Sequence, residues 1–204
     1  MIPAWHDGAS DPLPFPDPAT WNLVHAGSRP PVEAGLDLII EVLDTDRWRN
    51  RPVTCTLQCG GPPSGWAAAA VARTCSDRFR AVPPSSQAGD VWRDAHAGLF
   101  PARRGVVTPE LRDALAAGRP VIASATGDIP SRIAGGVTGF LSPAAHRTCL
   151  AETLEHAWER RDDGPAMGRA AATSAGGWLP APEAAARCLA SLLPLLRIPA
   201  VQTP

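Results

Sequence analysis

The stretch GRPVIASATGDIPSRIAGGVTGFLS, residues 118–142, decides the fold of this chain. It contains two short apolar runs, PVIAS at 120–124 and GFLS at 139–142, which have the length of buried strands. The residues between the runs are rich in glycine and proline, which mark turns. Helices are predicted on either side, at 109–117 and at about 148–160. This part of the chain therefore alternates between helices and strands.

The same alternation extends toward the N-terminus. The run NLVHAG, residues 22–27, ends in glycine and predicts a first strand. The next apolar residues follow the i, i+3, i+4, i+7 spacing of a helix with one apolar face, namely Leu36, Ile39, Ile40 and Leu43. Further strands are predicted at 53–58, 78–82 and 97–101, with an Ala-rich helix at 66–73. Such alternation predicts a Rossmann-like α/β fold, a parallel sheet of about six strands with helices on both faces.

The chain is expected to form one domain, since 204 residues of which 45% are hydrophobic suit a single core. Residues 1–20 hold five prolines and no apolar period, so they are predicted to be a linker that packs little and adds no strand. The domain itself is assigned to residues 21–197. Residues 198–204 are expected to be a disordered tail.

Composition excludes several functions. The formal net charge is −1 with no run of like charges, so no nucleic-acid or membrane-surface partner is indicated. All 19 basic residues are arginine, which excludes a P-loop, a pyridoxal enzyme and a Schiff-base aldolase, because each needs a lysine. The bias toward arginine is typical of a GC-rich bacterial genome.

No targeting or metal-binding pattern stands out. No stretch has the length and apolarity of a signal peptide or a transmembrane segment, so a cytoplasmic location is expected. The five cysteines include no C-x-x-C spacing, and no metal site is predicted. The histidines, among them His25 and His96 beside predicted strands, are expected to be structural or solvated.

Three segments resemble the C-terminal domain of retaining, family-4-type (group 1) GT-B glycosyltransferases. They are AHAGLFPAR, LRDALAAGRPVIASATGDIPSRIAGGVTGFLSPA and LAETLEHAWERRDDGPAMGRAA, within residues 95–171. The most specific pieces are GRPVIAS at 118–124 and GGVTGFL at 135–141. Upstream, HAGSRPPVEAGLDLIIEVL is similar to the first loop and helix of that domain. The resemblance implies that the chain is the sugar-nucleotide-binding half of such an enzyme.

The resemblance also implies where the donor would bind. In the family an arginine and a lysine after the first strand clamp the diphosphate, and these positions fall on Arg29 and Ala34. Two glutamates that contact the donor sugar and the ribose fall on Gly105 and Asp113. A carboxylate at Glu110, one helical turn before Asp113, is a second candidate for the ribose hydroxyls, although a first-turn glutamate is also ordinary at a helix start.

The loop before the helix at 109–117 is the remaining part of this expected site. The family has a glycine-rich loop there, whereas this chain has the β-branched residues Val106, Val107 and Thr108. Thr108 is a good N-cap and Pro109 a good first helical residue, so the helix start is predicted to present N–H groups that attract phosphate.

The function implied is transfer of a hexose from a nucleoside-diphosphate sugar to an unknown acceptor, with no cofactor and no bound metal. GT-B enzymes use two Rossmann-like domains, so a separate N-terminal domain on another chain is the expected partner, and the lone chain is expected to be inactive. The alternative is a degenerate, non-catalytic domain with an interaction or regulatory role. A weaker alternative is a sugar-nucleotide epimerase of the same architecture.

Overall fold

The structure is a computed structural model that describes residues 12–17, 19–27, 29–59, 71–72, 74, 76–83 and 90–178. Its six strands form one sheet in the order β3-β2-β1-β4-β5-β6. The strands are β1 Trp21–Gly27, β2 Val53–Cys59, β3 Phe79–Val82, β4 Ala97–Phe100, β5 Val121–Ser124 and β6 Gly139–Ser142. All five strand pairings are parallel. The predicted six-stranded, Rossmann-like parallel sheet is therefore confirmed.

Six α-helices have both ends within the described ranges. They are α1 Pro31–Ala34, α2 Leu36–Leu43, α3 Asp46–Arg49, α4 Pro109–Ala116, α5 Arg147–Glu159 and α6 Gly164–Gly176. Helices α2 and α5 share one buried apolar cluster, whereas α4 and α6 share another. Helices thus cover both faces of the sheet, as predicted.

The central strands are buried on both faces, which explains their continuous apolar sequences. In β1, Leu23 belongs to the cluster under α2 and α5, and Val24 belongs to the cluster under α4 and α6. Successive side chains of a strand point to opposite faces, so each face needs its own apolar residues. Successive side chains of β1 therefore enter two different apolar cores, and neither face of the strand is turned to water.

The strand order reverses between β1 and β4. From β1 the chain moves outward through β2 to β3, then returns to β4 on the other side of β1 and continues to β6. In open α/β sheets, ligands bind beyond the carboxyl ends of the strands at such a reversal. The loops that follow β1 and β4 are therefore the place to look for a site.

The described part of the N-terminal segment contacts the domain at a few points. Residues 12–17 form no strand, but the backbone N–H of Leu13 donates to the carbonyl of Ala117 at 3.2 Å. Phe15 packs against Gly164 and lies 5.3 Å from the guanidinium of Arg119. None of residues 12–17 is buried, and Pro12 and Pro14 remain exposed, so the segment makes these contacts without deep burial. Proline removes only a donor and leaves carbonyls and rings able to make contacts.

The buried guanidinium of Arg119 holds this segment. Arg119 is fully buried, and it donates to the carbonyls of Trp92 at 2.9 Å, Pro14 at 2.7 Å and Leu13 at 3.3 Å. Burial lowers the pKa of Arg119 to about 10. The carbonyl bonds satisfy the charge in place of a carboxylate, so docking of residues 13–14 and burial of Arg119 depend on each other.

Some predicted segments lie outside the described residues. These are residues 1–11 of the linker, most of the Ala-rich helix at 66–73, and everything after residue 178, including the predicted tail at 198–204. Val71 and Ala72, from the Ala-rich segment, are helical. In the described part of the chain, none of the helices has the length and apolarity needed to cross a membrane.

Candidate functional site

A cavity of about 270 Å³ opens at the point where the strand order reverses. Its walls come from the end of β1, the loop after it, the loop after β4, and the start of α4. The lining residues are His25, Ala26, Gly27, Arg29, Ala34, Phe100, Ala102, Val106, Val107, Thr108, Pro109, Glu110, Leu111 and Ile129. Most of the wall is apolar, and the polar groups are few, as in many small-molecule sites.

The start of α4 forms one wall of the cavity. The side-chain oxygen of Thr108 accepts a hydrogen bond from the backbone N–H of Leu111 at 3.2 Å, and Pro109 occupies the first turn. The predicted N-cap is therefore present. The positive end of the helix dipole faces the cavity, which favours an anion there. The half-buried carboxylate of Glu110 belongs to the same wall.

Arg29 stands at the rim and joins the two loops. Its Nη1 donates to the carbonyl of Arg104, in the loop after β4, at 2.6 Å. A guanidinium has five N–H donors, so this bond leaves others for a ligand. Arg29 thus both bridges the loops and brings a positive charge to the cavity.

A second bridge fixes the same two loops. Arg103 forms a two-pronged ion pair with Asp37 of α2 at 2.6 and 2.7 Å, and its backbone N–H donates to the carbonyl of Glu33. The hydrogen-bonded carboxylate of Asp37 raises the pKa of Arg103. The rim of the cavity is therefore held before any ligand binds, which reduces the entropy cost of binding.

Ala34 is the residue that the resemblance aligns with the family's lysine. Its side chain is almost fully buried and lines the cavity. The next residue, Gly35, has φ +78°, and a Cβ on it would lie 2.1 Å from the carbonyl oxygen of Pro101. Only glycine fits this close approach of the loops. The cavity wall is thus tightly packed but carries no cation at residue 34.

The resemblance aligns Gly105 with the family's first glutamate, and the structure leaves no room there for a side chain. A Cβ on Gly105 would lie 2.1 Å from the carbonyl oxygen of Thr126. Conversely, a Cβ on Gly127 would lie 1.7 Å from the carbonyl oxygen of Gly105. The two backbones are in direct contact, so a carboxylate at residue 105 would require the loop to move.

The neighbouring valines are positioned by the same turn. The backbone N–H of Val107 donates to the side chain of Asp128 at 2.9 Å, and Val106 remains about half exposed at 49%. This N–H is therefore occupied by a protein carboxylate. The valine loop contributes apolar surface to the cavity in place of the flexible backbone of a glycine-rich loop.

His25 is a polar residue of the cavity that pattern analysis assigned a structural role. It is 3% exposed, and its Nδ1 lies 2.7 Å from the carbonyl oxygen of Leu99. Because a carbonyl can only accept, Nδ1 carries the proton. Burial lowers the pKa of His25, against weaker opposing effects of the Leu99 bond and the charge of Glu110. The ring is thus held neutral above its lowered pKa, with an acceptor at Nε2.

The structure brings together five of the six residues that the resemblance and the helix-start argument selected. Arg29, Val106, Val107, Thr108 and Glu110 all line the cavity. Asp113 lies one turn further along α4, outside the lining, with its carboxylate 3.5 Å from the guanidinium of Arg112. Glu110, the second candidate for the ribose hydroxyls, is therefore the carboxylate at the cavity.

Other lining residues escaped the sequence argument. Examples are His25 within β1, Phe100 at the end of β4 and Ile129 after β5. The order of the strands, which the sequence does not reveal, was the missing signal. Within the described ranges, no three His, Cys, Asp or Glu side chains are grouped as metal ligands.

Known structures share this fold. Sucrose-phosphate synthase of Thermosynechococcus elongatus is 17% identical, with a TM-score of 0.68 over 89% of this chain and 49% of that one. HepE of Anabaena, in complex with UDP-glucose, is 16% identical, with a TM-score of 0.72 over 85% of this chain and 49% of that one. The pneumococcal O-GlcNAc transferase GtfA, in complex with UDP and GlcNAc, is 16% identical, with a TM-score of 0.70 over 92% and 38%. The chain spans half or less of the length of these three proteins.

The sequence comparisons give a family as well as a fold. No protein of curated function matches the sequence. The profile of the family described as glycosyl transferases group 1 matches residues 21–160, which is more than half of the chain. That segment includes β1 to β6, the loops of the cavity and the start of α4. The chain therefore belongs to the group 1 glycosyl transferase family.

Proposed function

We propose that this chain binds a nucleoside-diphosphate sugar in the cavity between the β1 and β4 loops and forms the donor side of a hexosyltransferase. The observation that carries the proposal is the position of the cavity, at the reversal of strand order and against the start of α4. The comparably folded HepE and GtfA were solved with UDP-glucose and with UDP and GlcNAc. Family membership favours transfer over epimerisation.

The diphosphate is the part of the donor that the site can hold by charge. The N-terminus of α4 and the guanidinium of Arg29 both line the cavity and both favour negative charge in it. We infer that these groups hold the diphosphate without a metal ion. Glu110, an acceptor at that wall, would take the hydrogen bonds of the ribose hydroxyls.

Donor binding is expected to be weak. Two positions that hold charged groups in the family carry Ala34 and Gly105 here. A hydrogen bond to a charged group contributes about 1.5 to 3 kcal/mol, so losing the lysine contact alone lowers affinity about 10- to 150-fold. The rigid rim offsets part of this loss, because the loops are already joined through Arg29 and Arg103.

The acceptor would be bound by a second domain. The cavity lies at one edge of a single Rossmann-like sheet, and a transfer reaction needs donor and acceptor held together. We propose that an N-terminal GT-B domain, on another chain or in a longer form of this one, closes over the β1 and β4 loops. Without that second domain, the present chain would bind the donor and transfer no sugar.

Calorimetric titration with UDP-glucose and with a GDP-sugar tests the proposal. Arg29→Ala should weaken binding about 10- to 150-fold, because a charge-assisted contact is lost. Ala34→Lys should strengthen binding, because it would add an ammonium group to the cavity at residue 34, where the wall carries no cation. Arg93→Ala is the matched control, since this exposed arginine precedes β4 at the opposite edge of the sheet.

The same titration separates the two candidate functions. Binding by the wild-type chain that Arg29→Ala weakens by this amount and Arg93→Ala leaves unchanged would support the donor site. If neither the wild-type chain nor Ala34→Lys bound any nucleotide sugar, the cavity would not be a donor site. The non-catalytic interaction module would then be the better account.

A further inference from the structure

His25 brings a hydrogen-bond acceptor into the cavity from the β1 side. The residue is 3% exposed, and its ring contributes to the lining. The nitrogen Nε2 lies beside Gly27, 3.7 Å from the place of a Cβ on that glycine, and Gly27 also lines the cavity. Within the described part of the chain, Nε2 has no hydrogen-bond partner. The residue as a whole is buried, but this nitrogen is not among the buried side-chain atoms without a partner in the described part of the chain, so it is open to solvent and available to a ligand.

The role of Nε2 follows from the bond at the other ring nitrogen. Nδ1 donates its proton to the carbonyl oxygen of Leu99 at 2.7 Å, so the neutral ring presents a lone pair at Nε2. A ligand group that donates to this acceptor adds a hydrogen bond to the complex. Hydroxyl groups can donate in this way, whereas an ionised phosphate oxygen cannot.

We propose that Nε2 of His25 accepts a hydrogen bond from a hydroxyl group of the bound nucleotide sugar. This inference rests on the proposed function and names a further binding residue for it. The polar groups of the cavity then contact different parts of the ligand. Arg29 and the start of α4 face the anionic part of the ligand, and His25 faces a hydroxyl. The ligand class selected by His25 is therefore a sugar, not a free phosphate.

The proposal predicts how the affinity for the nucleotide sugar changes with pH. The charged groups that share the cavity with His25 are Glu110 of α4 and Arg29 of the loop after β1, and β4 contributes the Leu99 carbonyl. Ligand binding requires neutral His25, so affinity is complete above the pKa of the free protein and is lost as the pH falls through it. That pKa is lowered from the ordinary value of 6.5 by burial, so the loss occurs below pH 6.5. A protonated His25 that bound phosphate would give the opposite trend.

The test is calorimetric titration with UDP-glucose at about pH 7.5, repeated at successively lower pH for as long as the chain stays folded, because the pKa of His25 lies below its ordinary value. Both phosphates of this probe are esterified and keep their charge over the range. His25→Asn retains an N–H near the position of Nδ1 and lacks the acceptor at Nε2. Its affinity at the higher pH should be about 3- to 10-fold lower than that of the wild-type chain, as expected for one hydrogen bond. Its loss of affinity on acidification should disappear.

His146→Asn is the matched control. His146 is exposed and forms the N-cap of α5, a position that asparagine also fills well. This variant should keep the wild-type affinity and the wild-type pH dependence. A second measurement needs no substitution: the nitrogen NMR signal of Nε2 in the wild-type chain should shift on addition of UDP-glucose at the higher pH.

The outcomes separate the two proposals. If the wild-type chain binds UDP-glucose but His25→Asn binds equally well, or if affinity rises on acidification, the role of His25 is overturned and the donor site stands. An unchanged Nε2 signal in a chain that binds would have the same meaning. If the wild-type chain binds no nucleotide sugar, both proposals fall.

Discussion

Gly105 shows at the scale of a residue why resemblance alone misjudges the site. By sequence it is a family glutamate replaced by glycine. In the structure its Cα carries no side chain because the backbone of Thr126 lies where a Cβ would be. The loss of the carboxylate is thus coupled to the packing of the β4 loop on the turn after β5. Restoring glutamate at this position would not restore a family site.

We predict that Gly105→Ala lowers the free energy of unfolding by about 1 to 3 kcal/mol, as overpacking against backbone does. Gly135→Ala is the matched control, since nothing lies within 4 Å of its Cβ position. This change should be neutral or stabilising by about 0.4 to 1 kcal/mol. Urea unfolding followed by circular dichroism measures both. Equal stability of the two variants would show that the loop has space at residue 105.

Individual site residues were predictable only where the sequence carries a local signal. Thr108 was identified as an N-cap because the Thr-Pro-Glu sequence is typical of a helix start, and Arg29 came from the resemblance. His25 gave no such signal, because a histidine in an apolar run is usually structural. Its role depends on the neighbouring strand, whose Leu99 carbonyl fixes the tautomer.

At the scale of an element, α4 links stability to the site. The helix has eight residues, and its N-cap is the hydroxyl of Thr108. We predict that Thr108→Ala lowers the free energy of unfolding by about 0.5 to 2 kcal/mol, because the N–H of Leu111 loses its acceptor. The first turn should also fray, and nucleotide-sugar binding should weaken with it. Urea unfolding and calorimetry measure the two effects.

Thr173→Ala is the control for the loss of a threonine hydroxyl from a helix. Thr173 is exposed within α6, and its hydroxyl bonds the carbonyl of Arg169 in the preceding turn. Alanine is the better helix former at such a position, so stability should be unchanged or higher. A Thr108→Ala variant as stable as Thr173→Ala would mean that the cap contributes nothing.

Most elements were predicted within one or two residues, and the exceptions have physical reasons. Strands such as β5 and β6 are apolar runs bounded by glycine or proline, which gives clear limits. Helices α1 and α3 have four residues each, too few to show a period. Helix α6 has the sequence GPAMGRAAATSAG, whose small residues give no strong apolar stripe. The contacts of residues 13 and 14 with Arg119 had no local signal, because Arg119 is more than 100 residues away in the sequence.

At the scale of the whole molecule, the sequence predicts the class of fold but not the order of strands. Alternating strands and helices require a parallel sheet, and this was confirmed. Which strands are neighbours depends on where the chain turns back, and no local pattern encodes that step. The reversal between β1 and β4 brings together loops that are about 75 residues apart, as the Arg29 to Arg104 bond illustrates. The cavity is a product of this topology.

The central claim is that a nucleotide sugar binds in that cavity, and an NMR titration of the wild-type chain with UDP-glucose tests it most directly. The account predicts that the amide signals of Gly27, Val107 and Glu110 shift together and saturate, because these residues line the cavity. Amides at the opposite edge, such as that of Asp94, should not move. A titration that shifts no cavity amide, or that shifts only amides at the opposite edge, would contradict the account.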